Sequence, residues 1–569
     1  MGNLQIAKLF RAVAAALELS DGESNKFKII AYQRAADAIE HASSEVKDLW
    51  DDGKLKELAG VGVGIAGSLD ELFKTGKVKH FETILKPFPP AIFELMEVPG
   101  IGPKTALKFC KELGISKAHS AIAELLKAVK KGRIDKRFLK SIQEYQGRSK
   151  RMLLDVAQTI SDSIIDWMKK SPYVKEINAL GSLRRQASTV GDLDIAVATD
   201  HPKEVIGHFT KYPQKSRVLE AGEHSASLIL PNEYQVDLMV QPQAAYGALL
   251  QHFTGSKHHN IKLREYALKK GYSLSEYGIK VKEKLRQFSD EKSFYGYLDL
   301  DWIPPELREG ENEIDLAKDH QLPNLVELTD IKGDLQMHSS FNIEPSHDLG
   351  TSSIDELAAK GQSLGYEYIG VTDHNPSISG HTQAQIIDLI KKRTEVVQSK
   401  KRAVYVFNSL EIDIQPDGKR ALPDQALDLL DYACVSIHSS FRLSRKAMTD
   451  RVLAALDYPK VKFFAHPTGR LLGEREGVEL DWDRIFDFCV KNNKYLEIDG
   501  WPNRLDLPDV VAKEAIKHGI KLIIDTDSHS AGQLVYMRYG VSVARRAGAV
   551  KSDIINTFSL KEVITCLSH

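Results

Sequence analysis

The chain has 569 residues, which is too long for one hydrophobic core and favours three or four domains. Its 77 Lys and Arg residues nearly balance its 78 Asp and Glu residues, and 42% of its residues are hydrophobic, as in an ordinary globular protein. There is no apolar run near the ~20 residues of a membrane span, no signal-peptide pattern and no C-x-x-C among the four cysteines. We therefore expect a cytoplasmic protein with no membrane partner, no disulfide framework and no thiolate zinc site.

The first 150 residues are predicted to be helical, and they carry 25 Lys and Arg residues against 19 Asp and Glu residues. A glycine turn that opens a helix occurs twice, in residues 58–66 and 98–106. The glycines let backbone N–H groups at a helix N-terminus approach a phosphate. One copy fits an ordinary helix connection, and a basic face can be merely solvated. Two copies about 40 residues apart favour a pair of elements that hold DNA without reading its sequence.

Three aspartates on predicted strands form the first candidate site. An apolar run leads into Gly181-Ser182, and the next strand carries Asp192 and Asp194, two residues apart. Alternate residues of a strand share a face, so these carboxylates point the same way, and Asp237 lies on a third strand that can pair alongside. Divalent ions such as Mg²⁺ bind few carboxylates and leave positions for substrate phosphates. Such a pair alone is more often a solvated charge pair, but the whole pattern favours two-metal nucleotidyl transfer.

The pattern resembles the nucleotidyltransferase palm of the family X DNA polymerases. A second segment, residues 248–256, resembles the family's segment that grips the incoming nucleotide. The resemblance implies that phosphates are held by Ser182 and Arg185, and the sugar is crowded by Phe253 and Gly255. It assigns catalytic and metal-binding roles to Asp192, Asp194 and Asp237, and nucleotide-binding roles to Gly181, Ser182, Arg185, Phe253, Gly255, Asn260 and Arg264.

Two residues depart from the family pattern. Gln186 stands where the family usually has Gly, and His252 stands where vertebrate members have Tyr. The resemblance implies that Asn260 contacts the base of the incoming nucleotide and that Arg264 approaches the template. The departures concern how the nucleotide fits, and the reaction class is unaffected.

The same resemblance identifies the two glycine turns as paired helix-hairpin-helix elements. Ser68 stands where some members have a lysine that removes a 5′-deoxyribose phosphate through a Schiff base. A hydroxyl cannot form a Schiff base, so we expect binding of a 5′-phosphate without this lyase step. The implied DNA-binding residues are Lys28, Tyr32, Lys56, Gly60, Gly62, Gly64, Gly100, Gly102 and Lys104, of which the first three match the family's 5′-phosphate pocket.

From about residue 328 the pattern changes to alternating apolar strands and helices, and six strand-like runs end in side chains of metal-ligand type. A barrel of parallel strands collects its C-terminal strand ends at one mouth, where active sites lie. A single His after a strand is usually structural, but five such ends at one rim favour a metal site. They carry His374, Glu411, His438, His466, Asp527 and His529. Asp499, at the sixth end, is assigned a supporting or structural role.

This half resembles the PHP domain, a distorted barrel with a trinuclear metal centre and phosphoesterase chemistry, which bacterial family X polymerases carry at the C-terminus. The resemblance adds His338 to the ligands and implies two or three Mn²⁺ or Zn²⁺ ions. Gln336 replaces the first histidine of the family's opening H-x-H, and a different loop, residues 342–350, replaces its Ser-Asp-Gly. His347 or Asp348 could supply the missing ligand. An amide binds a transition metal more weakly than imidazole, so we expect one of three metals to be weak or absent.

The predicted fold is multidomain, α+β and α/β, with N-terminal helical helix-hairpin-helix domains, a nucleotidyltransferase palm with a mixed sheet, and a C-terminal PHP distorted (β/α)7 barrel. The predicted boundaries are 1–86 for the first helix-hairpin-helix domain, 87–150 for a fingers-like helical DNA-binding region with the second hairpin, 151–241 for the palm, 242–318 for a thumb-like subdomain that selects the nucleotide, 319–328 for a linker and 329–569 for the PHP domain.

These expectations describe a DNA-directed DNA polymerase that fills short gaps in DNA repair with two Mg²⁺ or Mn²⁺ ions in the palm. Its partners would be gapped or primer-template DNA and dNTPs, and the PHP half would add a 3′–5′ exonuclease or AP endonuclease. Two other functions stay open: a PHP phosphoesterase acting on a small phosphate ester, and a non-catalytic scaffold that binds DNA ends. The paired DNA-backbone hairpins argue against the first, and the three palm carboxylates argue against the second.

Overall fold

The computed structural model describes residues 3–40, 46, 50, 55, 61–98, 100–139, 141–142, 145, 151–231, 234–282 and 284–568. The chain divides into two compact units, residues 1–150 and residues 151–569. None of the helices in these described ranges is long and apolar enough to cross a membrane.

The first unit is helical in its described part. Apolar residues at helical spacing form its core, in which the ring of Phe10 meets Tyr32 and Phe81 edge-on, with centroids 5.9 and 5.1 Å away. Such edge-to-face aromatic contacts stabilise a small helical core beyond the burial of area alone. The helices are α1 (Asn3–Asp21), α2 (Lys26–Glu40), α3 (Val63–Thr75), α4 (Lys79–Leu85), α5 (Ala91–Leu95), α6 (Pro103–Leu113) and α7 (Ala118–Lys130).

The second unit begins with the palm sheet. Its elements are β1 (Met152–Leu153), α8 (Leu154–Met168), β2 (Glu176–Ala179), α9 (Gly181–Arg184), β3 (Thr189–Val190), β4 (Leu193–Ala198), α10 (Pro202–Phe209), β5 (Arg217–Ala221), β6 (Ser225–Ile229) and β7 (Gln235–Gln241). Five strands form a mixed sheet in the order β2-β4-β7-β6-β5, in which only the central β4–β7 pair is parallel. Side chains alternate along β4, so Leu193 and Ile195 enter the main core while Ala196 faces the opposite layer.

The thumb region follows the palm. Its elements are α11 (Tyr246–Thr254), α12 (Lys257–Lys269), β8 (Tyr272–Ser275), β9 (Gly278–Val281), β10 (Lys284–Arg286), α13 (Glu291–Tyr297) and α14 (Glu313–Lys318). The carboxylate of buried Glu291 accepts hydrogen bonds of 2.6 to 3.1 Å from Arg308, Arg184 and Trp302. Because Arg184 belongs to the turn after β2, this charge cluster ties the thumb to the palm.

The C-terminal half is a nearly closed parallel barrel. Its strands are β11 (Gly333–Met337), β12 (Tyr368–Val371), β13 (Tyr405–Asp413), β14 (Tyr432–Ser436), β15 (Val461–Phe464), β16 (Tyr495–Asp499) and β17 (Leu522–Asp525). They pair in sequence order, and a parallel bridge between Met337 and Ser528 brings the last strand back to the first. The predicted (β/α)7 barrel is confirmed.

Helices cover the outside of the barrel, and buried aromatic side chains fill part of its interior. Tyr368, Phe407, Tyr432 and Phe463 form a buried cluster that also contains Val563 of the last helix. This packing leaves the C-terminal strand ends as the polar mouth. The helices are α15 (Ile354–Ser363), α16 (Gln383–Gln398), α17 (Asp424–Leu427), α18 (Arg445–Leu456), α19 (Trp482–Asn492), α20 (Asp509–Lys517), α21 (Met537–Arg546) and α22 (Leu560–Ser568).

Candidate active sites in the palm and the barrel

Asp194 and Asp237 lie opposite each other on neighbouring strands of the palm sheet. Strands β4 and β7 pair in parallel, and the two aspartates are register partners. Both are half-buried, whereas Asp192, just ahead of β4, is exposed. The structure thus brings the three predicted carboxylates to the same end of two strands.

Burial and neighbouring charges perturb these carboxylates. Burial, and then the negative charges of Asp237 and Asp192, raise the pKa of Asp194 to about 7, while Arg185 opposes the change. Asp237 accepts hydrogen bonds from the Ser227 hydroxyl and from the Gln235 amide, the latter 3.0 Å from each carboxylate oxygen. A divalent cation offsets the repulsion of gathered carboxylates, so these residues fit a metal site.

The turn after β2 places the predicted phosphate-binding residues beside the carboxylates. Gly181 has a φ of +58°, and a Cβ there would lie 2.5 Å from Oδ2 of Asp194, so the close approach requires glycine. Arg185 is largely buried, and its Nε donates to Glu309 at 3.2 Å while Nη1 donates to the carbonyl of Thr254. Ser182, in the same turn, is half-buried.

The remaining predicted nucleotide-binding residues lie around the end of α11. Gly255 follows this helix with a φ of +68°, and Phe253 on its last turn is half-buried. Asn260 donates from Nδ2 to the carbonyl of His252 at 2.7 Å, and exposed Arg264 lies 3.5 Å from Nδ1 of the same histidine. His252, a departure from the family pattern, therefore connects the residues expected to contact base and template.

The glycine turns of the first unit lead directly into helices. Gly62 and Gly102 are the N-cap residues of α3 and α6, and Gly100 has a φ of +84°. Gly64 and Lys104 lie in the first turns of these helices, where both are exposed. Accessible N–H groups at two helix N-termini suit phosphate contacts.

The predicted 5′-phosphate residues differ in accessibility. Lys28 is exposed on α2, whereas Tyr32 is half-buried in the aromatic core. The hydroxyl of Ser68 donates to the carbonyl one helical turn earlier, at 3.2 Å. Lys56 and Gly60 lie outside the described residues.

Glu411 is the centre of the second site. Its Oε1 lies 2.9 Å from Nε2 of His466 and 3.4 Å from Nε2 of His438. Its Oε2 lies 3.2 Å from Nε2 of His338 and 3.7 Å from Nδ1 of His374. One buried carboxylate therefore reaches histidines from four different strand ends.

The last strand completes this cluster. Asp527 Oδ1 lies 3.0 Å from Nε2 of His338, and the ring of His529 stacks on His338 with centroids 4.2 Å apart. All seven predicted PHP ligands thus meet at one mouth. Among the described residues, four groups have ligand atoms within 4.8 Å of one another: His338, His374 and His529; His347, Asp413 and His438; His374, Glu411 and His438; and His338, Glu411 and Asp527.

The rebuilt loop brings both of its candidate residues to the mouth. Asp348 places one oxygen 3.3 Å from Nε2 of His374 and the other 3.3 Å from Nε2 of His529. His347 instead lies 2.9 Å from Oδ1 of Asp413, which also lies 2.8 Å from Nδ1 of His438. Asp413 is a site residue that the sequence reasoning missed. Its signal was its place two residues after Glu411, on the same face of β13.

Gln336 occupies the position of the missing histidine. It is fully buried, its Nε2 donates to Oε2 of Glu411 at 3.2 Å, and its Oε1 lies 3.6 Å from the Cys434 sulfur. Its amide therefore faces the cluster, and it offers a weaker donor than imidazole.

The pKa values of the histidines in the cluster are shifted in opposite directions. Burial disfavours a charged His338, but hydrogen bonds and charges from Asp527 and Glu411 outweigh it and raise its pKa. Burial lowers the pKa of His438 to about 4. Buried ring nitrogens beside shared carboxylates are natural ligands for transition metals, so the residues fit a multinuclear metal centre. Among the described histidines of this cluster, the buried ring nitrogens that make no hydrogen bond are Nδ1 of His338, His374 and His466 and Nε2 of His529.

Comparison with known families matches two parts of the chain. A model described as the DNA polymerase beta thumb matches residues 249–309, and a helix-hairpin-helix domain model matches residues 1–78. The first match contains all but the first residue of the segment predicted to grip the nucleotide. The second contains the first glycine turn.

Curated relatives cover both halves. The DNA polymerase/3'-5' exonuclease PolX of Bacillus subtilis (strain 168) is 32% identical over 575 residues, 99% of each chain. The DNA polymerase lambda of Arabidopsis thaliana is 25% identical over 315 residues, 49% of this chain and 57% of that protein. A probable phosphatase of Thermoanaerobacter sp. (strain X514) is 23% identical over 218 residues, 36% of this chain and 84% of that protein. The full-length similarity and the two model matches show that the chain belongs to the bacterial family X DNA polymerases with a C-terminal PHP domain.

Proposed function

We propose that the chain is a DNA-directed DNA polymerase that fills short gaps during DNA repair, with gapped or primer-template DNA and dNTPs as substrates. The observation that carries this proposal is the parallel pairing of Asp194 with Asp237, with Asp192 just ahead of the strand. The matched thumb model and the full-length relative named as a polymerase support it.

Each palm residue has a proposed role. Asp192, Asp194 and Asp237 would hold two Mg²⁺ or Mn²⁺ ions, which when bound supply activation of the primer 3′-hydroxyl and charge stabilisation of the leaving pyrophosphate. Ser182 and the N–H groups of its turn bind phosphate oxygens, and Arg185 supplies positive charge to them.

A primer-extension assay on gapped DNA with Mg²⁺ and dNTPs tests this proposal. We expect template-directed extension by the wild type and loss of extension in Asp194→Asn, which keeps the shape of the side chain and removes its charge. Gapped-DNA binding without extension would favour the scaffold instead. Hydrolysis of p-nitrophenyl phosphate without extension would favour the small-ester phosphoesterase.

The barrel supports a second activity, a metal-dependent 3′–5′ exonuclease or AP endonuclease. Glu411 and the histidines around it form a donor set suited to two or three Mn²⁺ or Zn²⁺ ions, which would supply an activated water and charge stabilisation at a phosphodiester. The relative named as a 3'-5' exonuclease supports the nuclease, and the probable phosphatase supports phosphoester chemistry in this half.

Labelled DNA distinguishes the two nuclease activities. Stepwise shortening from the 3′ end indicates the exonuclease, and a single cut at an abasic site indicates the endonuclease. Glu411→Gln should abolish either activity, while Asp194→Asn should retain it as the matched control. Elemental analysis of the purified chain identifies the metal, and no DNA cleavage with any divalent metal would overturn this second proposal.

A further inference from the structure

A helix of the barrel half contacts the nucleotide turn of the palm. Nη1 of Arg546, the last residue of α21, donates to the backbone carbonyl of Arg185 at 2.9 Å. Four residues earlier on α21, the Ser542 hydroxyl donates to Oε1 of Gln186 at 3.0 Å. Two consecutive residues of the palm turn are therefore held by a helix more than 350 residues further along the chain.

Glu309 is shared between the arginine of the turn and the arginine of the helix. Its Oε1 accepts from Nε of Arg185 at 3.2 Å and from Nη1 of Arg546 at 2.9 Å. Nε of Arg546 donates to Asp509 at 2.7 Å, which fixes the guanidinium from its other side. Both arginine side chains are largely buried, at 14% and 10% exposure, so solvent screens these charges only weakly.

Gln186 is the residue that replaces the family's glycine, and this contact gives it a role. Its φ is +54°, a left-handed conformation that is strained for a residue with a side chain. Its amide bridges two elements, because Nε2 donates to the carbonyl of Leu183 at 2.9 Å while Oε1 accepts from Ser542. A glycine would relieve the backbone cost but could not connect the turn to α21.

We propose that Arg546 is a positioning residue for the polymerase reaction, through which the barrel half sets the nucleotide-binding turn of the palm. This inference rests on the proposed polymerase function and on the phosphate-binding role of Arg185. A carboxylate 3.2 Å from Arg185 competes with a triphosphate for the same guanidinium. Arg546 draws that carboxylate toward itself and holds the turn by its backbone carbonyl, so Arg185 can meet the nucleotide.

Arg546→Ala should therefore weaken nucleotide binding more than it slows the chemical step. We expect the KM for dNTP on gapped DNA to rise about tenfold, with kcat changed less than about threefold, because a charge-assisted contact to the triphosphate is lost. Arg546→Lys keeps the charge and loses the forked geometry, so its KM for dNTP should lie between those of the wild type and Arg546→Ala.

Arg545 provides the matched control. It is the preceding residue of α21, and it donates to Glu306 at 2.8 Å and to the carbonyl of Val326 at 3.0 Å. Arg545→Ala removes partly buried contacts of the same helix without touching the turn, so we expect an unchanged KM for dNTP. Barrel nuclease activity, measured in parallel, should be the same in both variants and reports a folded α21.

A double substitution separates positioning from simple packing. In Arg546→Ala the Glu309 carboxylate has lost one of its two guanidinium partners, and Glu309→Gln removes its charge. The double variant should regain most of the lost nucleotide affinity, whereas a packing defect would become worse.

Equal KM values for Arg546→Ala and Arg545→Ala, in a chain whose wild type extends primers, would overturn this inference and leave the proposed function standing. A double variant weaker than Arg546→Ala would also overturn it. A wild type that never extends a primer would overturn the proposed function, and the positioning role with it.

Discussion

The palm and the barrel both gather candidate metal ligands, but they do so in different ways. In the palm, three carboxylates come from the ends of two adjacent strands, and they remain partly exposed. Such a site depends on DNA and nucleotide to complete the coordination of its ions.

In the barrel, the ligands come from six strand ends and a loop, and most are buried against one another. Glu411 alone reaches four histidines. With this many preformed contacts, we expect the site to tolerate the loss of one ligand, because the neighbouring loop already places the Asp348 carboxylate beside His374 and His529. We therefore expect polymerase activity to be lost when any one palm carboxylate is removed, whereas nuclease activity of the barrel should fall in steps as ligands are removed.

The largest expected effect is that of Asp194→Ala on polymerisation. The carboxylate of Asp194 is half-buried and close to the charges of both other aspartates, so its loss should reduce primer extension by roughly 10³-fold or more. Single-nucleotide incorporation on gapped DNA measures this loss. Barrel nuclease activity should stay at the wild-type level, and extension within tenfold of wild type would show that the palm is less sensitive than the comparison requires.

The second prediction concerns the scaffold of the palm turn. Glu291→Gln leaves the buried guanidinium groups of Arg308 and Arg184 without their carboxylate, which should cost about 3–5 kcal/mol of unfolding free energy. Burial alone would raise the pKa of Glu291, but the two arginines outweigh it and lower the pKa to about 2. Urea denaturation of the wild type and the variant measures the difference.

The pH dependence of this effect has a definite sign. A depressed pKa means that the stabilisation is complete above the unfolded value of about 4.3 and is lost only as the pH falls toward about 2. The cost of Glu291→Gln should therefore be the same at about pH 6 and about pH 8. A cost that grows across this interval would mean that Glu291 titrates there and that the arginines do not hold its charge.

The third prediction tests whether the loop has replaced a lost ligand. Asp348→Asn removes a charge that faces His374 and His529, so nuclease activity should fall about tenfold and metal content should fall with it. Glu344→Gln is the matched control, because Glu344 belongs to the same loop but contacts His381, away from the ligand cluster. Equal metal content in the two variants would exclude Asp348 as a ligand.

Much of both sites follows from local sequence. The period of a strand puts Asp192 and Asp194 on one face, and most of the barrel ligands follow an apolar run, whereas His338 and the mixed sheet were predicted from the family resemblance. Pairing between distant segments does not follow from local sequence. In the sequence, Asp413 is an ordinary strand residue, and only the fold brings His347 and His438 to it. Gln186 departs from the family pattern, and only the fold shows that it contacts α21.

The smallest expected effect is a gain, in Gln336→His. The rebuilt loop places Asp348 beside His374 and His529, but no described side chain replaces the imidazole lost at position 336, where the Gln336 amide contacts Glu411. Imidazole binds transition metals better than a neutral amide, so the variant should bind more metal per chain and cleave DNA roughly 3-fold faster. Elemental analysis measures the metal content, and a nuclease assay measures the cleavage rate. Gln336→Asn, which keeps an amide, is the control for the change in volume beside Cys434. Under the proposed two-metal chemistry of this centre, the gain should reflect stabilised charge at the phosphodiester rather than a new reaction. A wild type that already binds three metals per chain, with no gain in Gln336→His, would show that Asp413 and the loop have compensated fully.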